Sequence, residues 1–232
     1  MEEKSSSKLH LISSFYTAES SSRNAELEKT LIQNIQSEYI ERIHLFIDDE
    51  ISLNKLKDGN FATDKIEIIK ICKQPLYSDL VSYANLLTNK LCIIANSDIW
   101  IDSIEDIRLL TDMKKFELYA LTRYESDMTS PLINKYQGSH DAFIFHSPIP
   151  ESIIKHIQFP QNVWGSENVL LYELNKFKYE IKNPCFQIKI VHEHMSNERK
   201  KDRIRINRGD IDGDGIYSRR SLCVAPSKIK LL

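Results

Sequence analysis

Two hydrophobic periods alternate along this chain. KLHLISSFY (8–16) is an apolar-rich run closed by the polar stretch TAESSS, and it predicts a first strand. In RNAELEKTLIQNIQSEYI the apolar residues Leu27, Leu31 and Ile35 recur every fourth position with Ile32 beside them, which makes one face of a helix. RIHLFIDDE (42–50) returns to strand character and ends in the acids Asp48 and Asp49, and KIEIIKICK (65–73) is a second β-branched run. SDLVSYANLLTNK (78–90) reads as a helix with Leu80, Val81, Ala84 and Leu87 on one side. LCIIA (91–95) is apolar without interruption, which suits a central strand covered on both faces. A short helix is expected near 102–111, then strands in FELYALTRY (116–124) and DAFIFH (141–146). WGSENVLLYELNK (164–176) predicts a helix with Ser166 as N-cap and Glu167 in its first turn, after which KYEI and FQIKIVH are expected to close the sheet. Strands alternating with helices imply an α/β layered structure around a mixed, mostly parallel central sheet flanked by helices.

Composition narrows the class. A chain of 232 residues, 41% hydrophobic and 28% charged, has the make-up of one globular core, expected over residues 1–200. The remainder, 201–232, is basic and rich in Gly and Asp, and is expected to be an irregular tail. A net charge of −2 lacks the basic excess of a nucleic-acid binder. No apolar run approaches the ~20 residues of a membrane span, and the start, MEEKSSSK, lacks the apolar region of a secretory signal. Cys72, Cys92, Cys185 and Cys223 form no Cys-x-x-Cys pair, so the expectation is a reduced, cytoplasmic protein without structural zinc or a disulfide framework.

In open α/β sheets ligands bind beyond the carboxyl ends of the strands. Tyr16 and Thr17, Asp48 and Asp49, and Asn96 to Asp98 all fall at such ends. Asn-Ser-Asp is an ordinary turn sequence, but it also delivers a carboxylate to the exit of a buried strand. VHEHMSNER (191–199) carries His192 and His194 at alternate positions, which predicts that they point to opposite faces and that one of them faces a given site. Such a His with a distant Asp would suit manganese or magnesium completed by phosphate oxygens, not zinc by spacing. Arg199, Lys200, Lys201, Arg203, Arg205 and Arg208 follow, either as a solvated face or as cations for a diphosphate. GDIDGDG (209–215) begins like an EF-hand loop, but position twelve is Ser221 instead of Glu, so it reads as a turn. Asp141 and Glu167 remain as acid/base candidates.

In order along Leu9 to Arg199, RNAELEKTLIQN, LFIDD, YANLL, IIANSDIWID, LTRY, GSHDAFIF, WGSENVLLYEL and NPCFQIKIVHEHMSNER resemble the parts of a GT-A glycosyltransferase. The similarity is to the small domains of large DNA viruses, such as chlorella viruses, and of bacterial sugar-polymer clusters. NSD looks like a variant of that fold's Asp-x-Asp motif in which Asn96 replaces the first Asp. The resemblance implies Mn2+ or Mg2+ held by Asp98 and His194, with His192 second. It implies a nucleotide-diphosphate sugar held by Ser14, Tyr16, Thr17, Arg23 and Asp48, with Asn96 on the ribose and Arg199 near the diphosphate. Glu167, or its rival Asp141, would be the base for a hydroxyl of a glycan or other acceptor, and the tail would pack on or near the active site. A sugar nucleotidyltransferase would want a Gly-rich basic loop after strand 1, where SFYTAESSSR has no glycine. A non-catalytic sugar- or partner-binding module on the same fold is the other alternative, because the motif has lost a carboxylate.

Overall fold

A computed structural model describes residues 8–59, 61, 63–130, 138–161, 163–195, 206 and 220–231. The chain runs β1 (Leu9–Ser14), α1 (Ser21–Gln36), β2 (Ile40–Ile47), α2 (Glu50–Asp58), β3 (Ile66–Lys70), α3 (Tyr77–Leu86), β4 (Leu91–Ala95) and β5 (Ile99–Ile104). It continues through α4 (Arg108–Thr111), β6 (Glu117–Leu121), β7 (Tyr124–Glu125), β8 (Ala142–His146), α5 (Glu151–Ile154), α6 (Ser166–Lys176), β9 (Glu180–Lys182) and β10 (Ile188–His192).

Seven strands form one sheet in the order β3-β2-β1-β4-β8-β6-β9. Its pairs β1–β2, β1–β4, β2–β3 and β6–β9 are parallel, while β4–β8 and β6–β8 are antiparallel. β4 lies in the middle, and its residues are 0–2% exposed, as the unbroken apolar run LCIIA requires. Burying each large aliphatic side chain there contributes roughly 1.5–3 kcal/mol. Alternation sends Leu9, Leu11, Ile43, Leu45, Leu91 and Ile93 to one face, where they meet Leu31, Leu53, Leu56 and Leu109 of α1, α2 and α4. Ile12, Phe46, Cys92 and Ile94 face the other side and pack on α3, α5 and α6 through Leu80, Val81, Ile153, Val169 and Leu171.

Several local expectations change. The segment expected to be a helix near 102–111 begins as strand β5 and becomes helical only at the four-residue α4. A helix not anticipated, α2, follows β2, and Asp49 is its N-cap: Oδ1 accepts the Ser52 N–H at 2.7 Å. At α6 the N-cap is Gly165 with φ +82°, a left-handed conformation that costs glycine little, and Ser166 is the first helical residue with its hydroxyl donating to the Gln161 carbonyl at 2.8 Å. β10 does not close the main sheet. It forms the centre of a separate sheet, β5-β10-β7, antiparallel to β5 and parallel to β7. Asn96-Ser97-Asp98 is therefore the turn by which the chain leaves the large sheet for the small one.

Candidate metal centre

That crossing, together with the register of the small sheet, builds the site. His192 pairs with Ile99 of β5 and with Glu125 of β7, so Asp98, His192 and Glu125 come side by side from three distant segments. Asp98 Oδ2 lies 3.2 Å from His192 Nε2 and 3.9 Å from His194 Nδ1. One ligand atom from each of Asp98, His192 and His194 fits within 4.8 Å of the others, and no other such cluster of three exists among the described residues. The expectation that the histidines face opposite ways fails here. β10 ends at His192, so the extended alternation does not reach His194, and the two rings stack with centroids 5.2 Å apart and planes 21° apart.

Helix α1 holds the turn in place. Arg23 Nη2 donates to Asp98 Oδ2 at 2.5 Å, and its Nη1 donates to Glu26 Oε2 at 2.9 Å and to the Glu193 carbonyl at 3.1 Å. Lys29 Nζ meets Glu193 Oε1 at 2.9 Å, and Glu26 Oε1 accepts the Met195 N–H at 2.7 Å. The Glu193 N–H donates to the Asp98 carbonyl at 2.9 Å, closing the site between the two loops.

The electrostatics follow from these contacts. Burial opposes ionisation of Asp98, but the His192 hydrogen bond and the charges of His192 and Arg23 hold its carboxyl well below the usual range. Burial would lower the His192 pKa, yet hydrogen bonds to Asp98 and Glu125 hold it above the ordinary value. Glu125 is pulled down to about 2, first by its hydrogen bond to His192 and, against burial, by Arg123. Burial works against the Arg23 charge, and Asp98 more than restores it. Two imidazoles and one carboxylate, with the outer nitrogen of one imidazole on a second carboxylate, are a donor set that fits a divalent transition metal.

The other expected site residues have different surroundings. Tyr16 lies beside the cluster only through Arg23, its hydroxyl 3.4 Å from Arg23 Nε, and Asn96 reaches Asp141 Oδ1 at 3.5 Å through Nδ2. Asp141, expected at the start of a strand, lies just before β8. Its Oδ1 accepts from Arg123 Nη1 at 2.8 Å and its Oδ2 from the Ser139 hydroxyl at 3.1 Å. Ser14 ends β1, whereas Thr17 is drawn to α2, its N–H donating to Ser52 Oγ at 2.8 Å. Asp48 is exposed at the end of β2. Glu167 stands half-buried in the first turn of α6. After burial, the negative charges of Glu167 and Asp141 raise the Tyr77 hydroxyl, so both carboxylates act on one buried phenol. Arg199 and the basic and Gly/Asp-rich stretches near it lie outside the described residues.

Arg123, Glu125 and Glu26 were not anticipated as site residues. Glu125 belongs to a two-residue strand whose partner lies 67 positions away, so no local pattern marks it.

No family model matches the chain, and no curated protein matches it. Solved structures do. The chain superposes on GalNAc-T7 with UDP, GalNAc and Mn2+ at TM-score 0.53 and 10% identity, covering 86% of this chain and 46% of that one. A mannosyltransferase from Pyrobaculum calidifontis in complex with GDP-Man and Mn2+ gives TM-score 0.53 at 8% identity, with 82% and 58% covered. The inositol-1-phosphate CTP transferase from T. maritima gives 0.52 at 9% identity, with 85% and 94% covered. The chain thus spans about half the length of the two glycosyltransferases. No helix among the described residues is long and apolar enough to cross a membrane. With a seven-stranded, mostly parallel sheet, a crossing turn at its centre and these neighbours in the solved structures, the chain has the GT-A fold.

Proposed function

We propose that this protein is a metal-dependent glycosyltransferase that moves a sugar from a nucleotide-diphosphate donor to a hydroxyl of a glycan or other acceptor. The observation that carries the reading is the convergence of Asp98, His192 and His194 at the exit of the central strand. These three residues would hold the cation, and two imidazoles among the ligands favour Mn2+ over Mg2+. When bound, the ion would stabilise the negative charge of the departing diphosphate. Arg23 keeps Asp98 ionised and fixed, while Asn96 and the Ser14–Thr17 loop are the candidates for the ribose and nucleotide.

For the acceptor we assign the proton to the Glu167 carboxylate. Asp141 is 6% exposed and has both oxygens engaged by Arg123 and Ser139, which suits a positioning role. Glu167 lies on the half-buried first turn of α6. Within this reading residues 1–200 are the catalytic domain and the tail lies against it. In support, the Leu222 N–H donates to the carbonyl of Asn168, the neighbour of Glu167, at 2.8 Å. A cytoplasmic setting fits the four free cysteines.

The test is a thermal-shift panel of nucleoside diphosphates with and without MnCl2, on the wild type and on Asp98→Asn. A ligand at a hundredfold excess over its Kd stabilises by about 2.7 kcal/mol. We expect a Mn2+-dependent shift with one nucleotide class, lost in Asp98→Asn. A shift that the variant retains would overturn the metal assignment. The near-complete overlap with a nucleotidyltransferase chain of similar length favours a sugar nucleotidyltransferase as the second reading. Pyrophosphate released from a nucleoside triphosphate and a sugar phosphate would establish it.

A further inference from the structure

We propose that Glu125 is the positioning residue of the metal centre, fixing the ring of His192 so that Nε2 is turned toward the cation position beside Asp98. The proposal rests on the metal reading above and goes beyond it, since Glu125 itself is not a member of the ligand cluster.

Three features carry it. First, the contact is specific: Glu125 Oε2 lies 3.1 Å from His192 Nδ1, and the opposite ring nitrogen, Nε2, lies 3.2 Å from Asp98 Oδ2. A carboxylate on one imidazole nitrogen selects the tautomer that carries its proton there and leaves the other nitrogen free to bind a metal. Second, the contact is set by backbone register, because β7 and β10 pair in parallel with Glu125 opposite His192. Third, Glu125 is itself braced. Its other oxygen, Oε1, accepts from Arg123 Nε at 3.2 Å, its N–H donates to the Thr129 carbonyl at 2.7 Å, and its carbonyl accepts the Met128 N–H at 2.8 Å. Arg123 also holds Asp141, so a line of alternating charge, Asp141–Arg123–Glu125–His192, runs from the residue before β8 to His192. A long side chain held at both oxygens is placed to orient its neighbour, whereas a single solvent-facing ion pair would leave it free to swing.

The measurement is a titration of the protein with MnCl2, without nucleotide, following free Mn2+ by electron paramagnetic resonance, alongside thermal unfolding. Wild type, Glu125→Ala, Glu125→Gln and Asp98→Asn are compared. Loss of an outer partner of a metal-bound histidine typically weakens metal affinity about 10–100-fold. We expect a loss in that range for Glu125→Ala and a smaller one for Glu125→Gln, whose amide oxygen still accepts the Nδ1 proton. Lowered melting with Mn2+ affinity within twofold of wild type in both Glu125 variants would make Glu125 a structural ion-pair partner only, and would overturn the proposal while leaving the metal reading standing. Wild type binding no Mn2+, or binding it as well after Asp98→Asn, would overturn the metal reading and this proposal with it. Should Glu125→Ala fail to fold, Glu125→Gln decides by the same criterion.

Discussion

Gly138 has φ +81°, and a Cβ built on it would lie 2.5 Å from Cys223 Sγ and 3.3 Å from Asn168 Nδ2. Both the left-handed backbone and the close approach of the Cys223 side chain call for glycine there. Gly138→Ala should therefore destabilise by about 1–3 kcal/mol in urea denaturation. Adding Cys223→Ala should recover the steric share and leave the backbone share, and full recovery would show that φ contributes nothing. The same scale explains why acids at strand ends differ. Asp49, Asp98 and Asp141 are one residue type at loop positions after or before strands. The first is taken by a helix cap, the second by Arg23 and His192, and the third by Arg123. Composition cannot separate those fates, because each partner is chosen by folding.

At the scale of elements, α1 does two jobs. Its apolar face was legible in the spacing of Leu27, Leu31 and Ile35, and Leu27 and Leu31 are buried as that spacing requires. Its polar side was not legible as a buried surface. Arg23, Glu26 and Lys29 recur every three residues and grip the segment after β10, some 170 positions on, while Asn34 reaches β5. The Asn34 amide donates to the Ile99 carbonyl at 3.0 Å and its oxygen accepts the Ile101 N–H at 3.4 Å, with the side chain 3% exposed. Asn34→Ala leaves both β5 groups without these partners, and we expect a loss of about 1–3 kcal/mol by chemical denaturation. A loss below 0.5 kcal/mol, on the order of an exposed substitution, would mean that the Asn34 bonds contribute little to holding β5.

Across the whole molecule, buried imidazoles make stability depend on pH. His140 is 3% exposed, with Nδ1 facing the Ala120 carbonyl at 3.2 Å and Nε2 accepting the Val224 N–H at 3.3 Å. Only the neutral ring with its proton on Nδ1 satisfies both. Burial pushes its pKa down to about 4, although the charge of Asp141 and the Ala120 carbonyl act the other way. Because the folded value lies below the unfolded one of about 6.5, the contribution is complete above pH 6.5. It is lost as pH falls toward 4, by roughly 3 kcal/mol in full. His10 and His44, stacked between β1 and β2 with Nδ1 and Nε2 3.0 Å apart, are also lowered by burial and add to the same slope. Urea denaturation at pH 7 and pH 4.5 should show wild type losing more stability than His140→Gln. Equal losses would remove His140 from the acid response.

What the sequence by itself determined is what depends on neighbours a few residues apart. The unbroken run LCIIA is the centre of the sheet, the fourfold spacing of α1 is a helix against it, and the ordered set of segments specifies the layered fold. NSD was readable as a strand exit that presents Asp98. Only the tertiary structure decided that β10 leaves the main sheet to pair with β5 and β7, that both His192 and His194 turn toward Asp98 where alternation allowed one, and that Glu125 stands behind His192. Periodicity records which way a side chain faces within its own element. The choice of strand partner, the register of that pairing and the counter-ion of a buried charge are settled between segments tens of residues apart, where no local spacing encodes them.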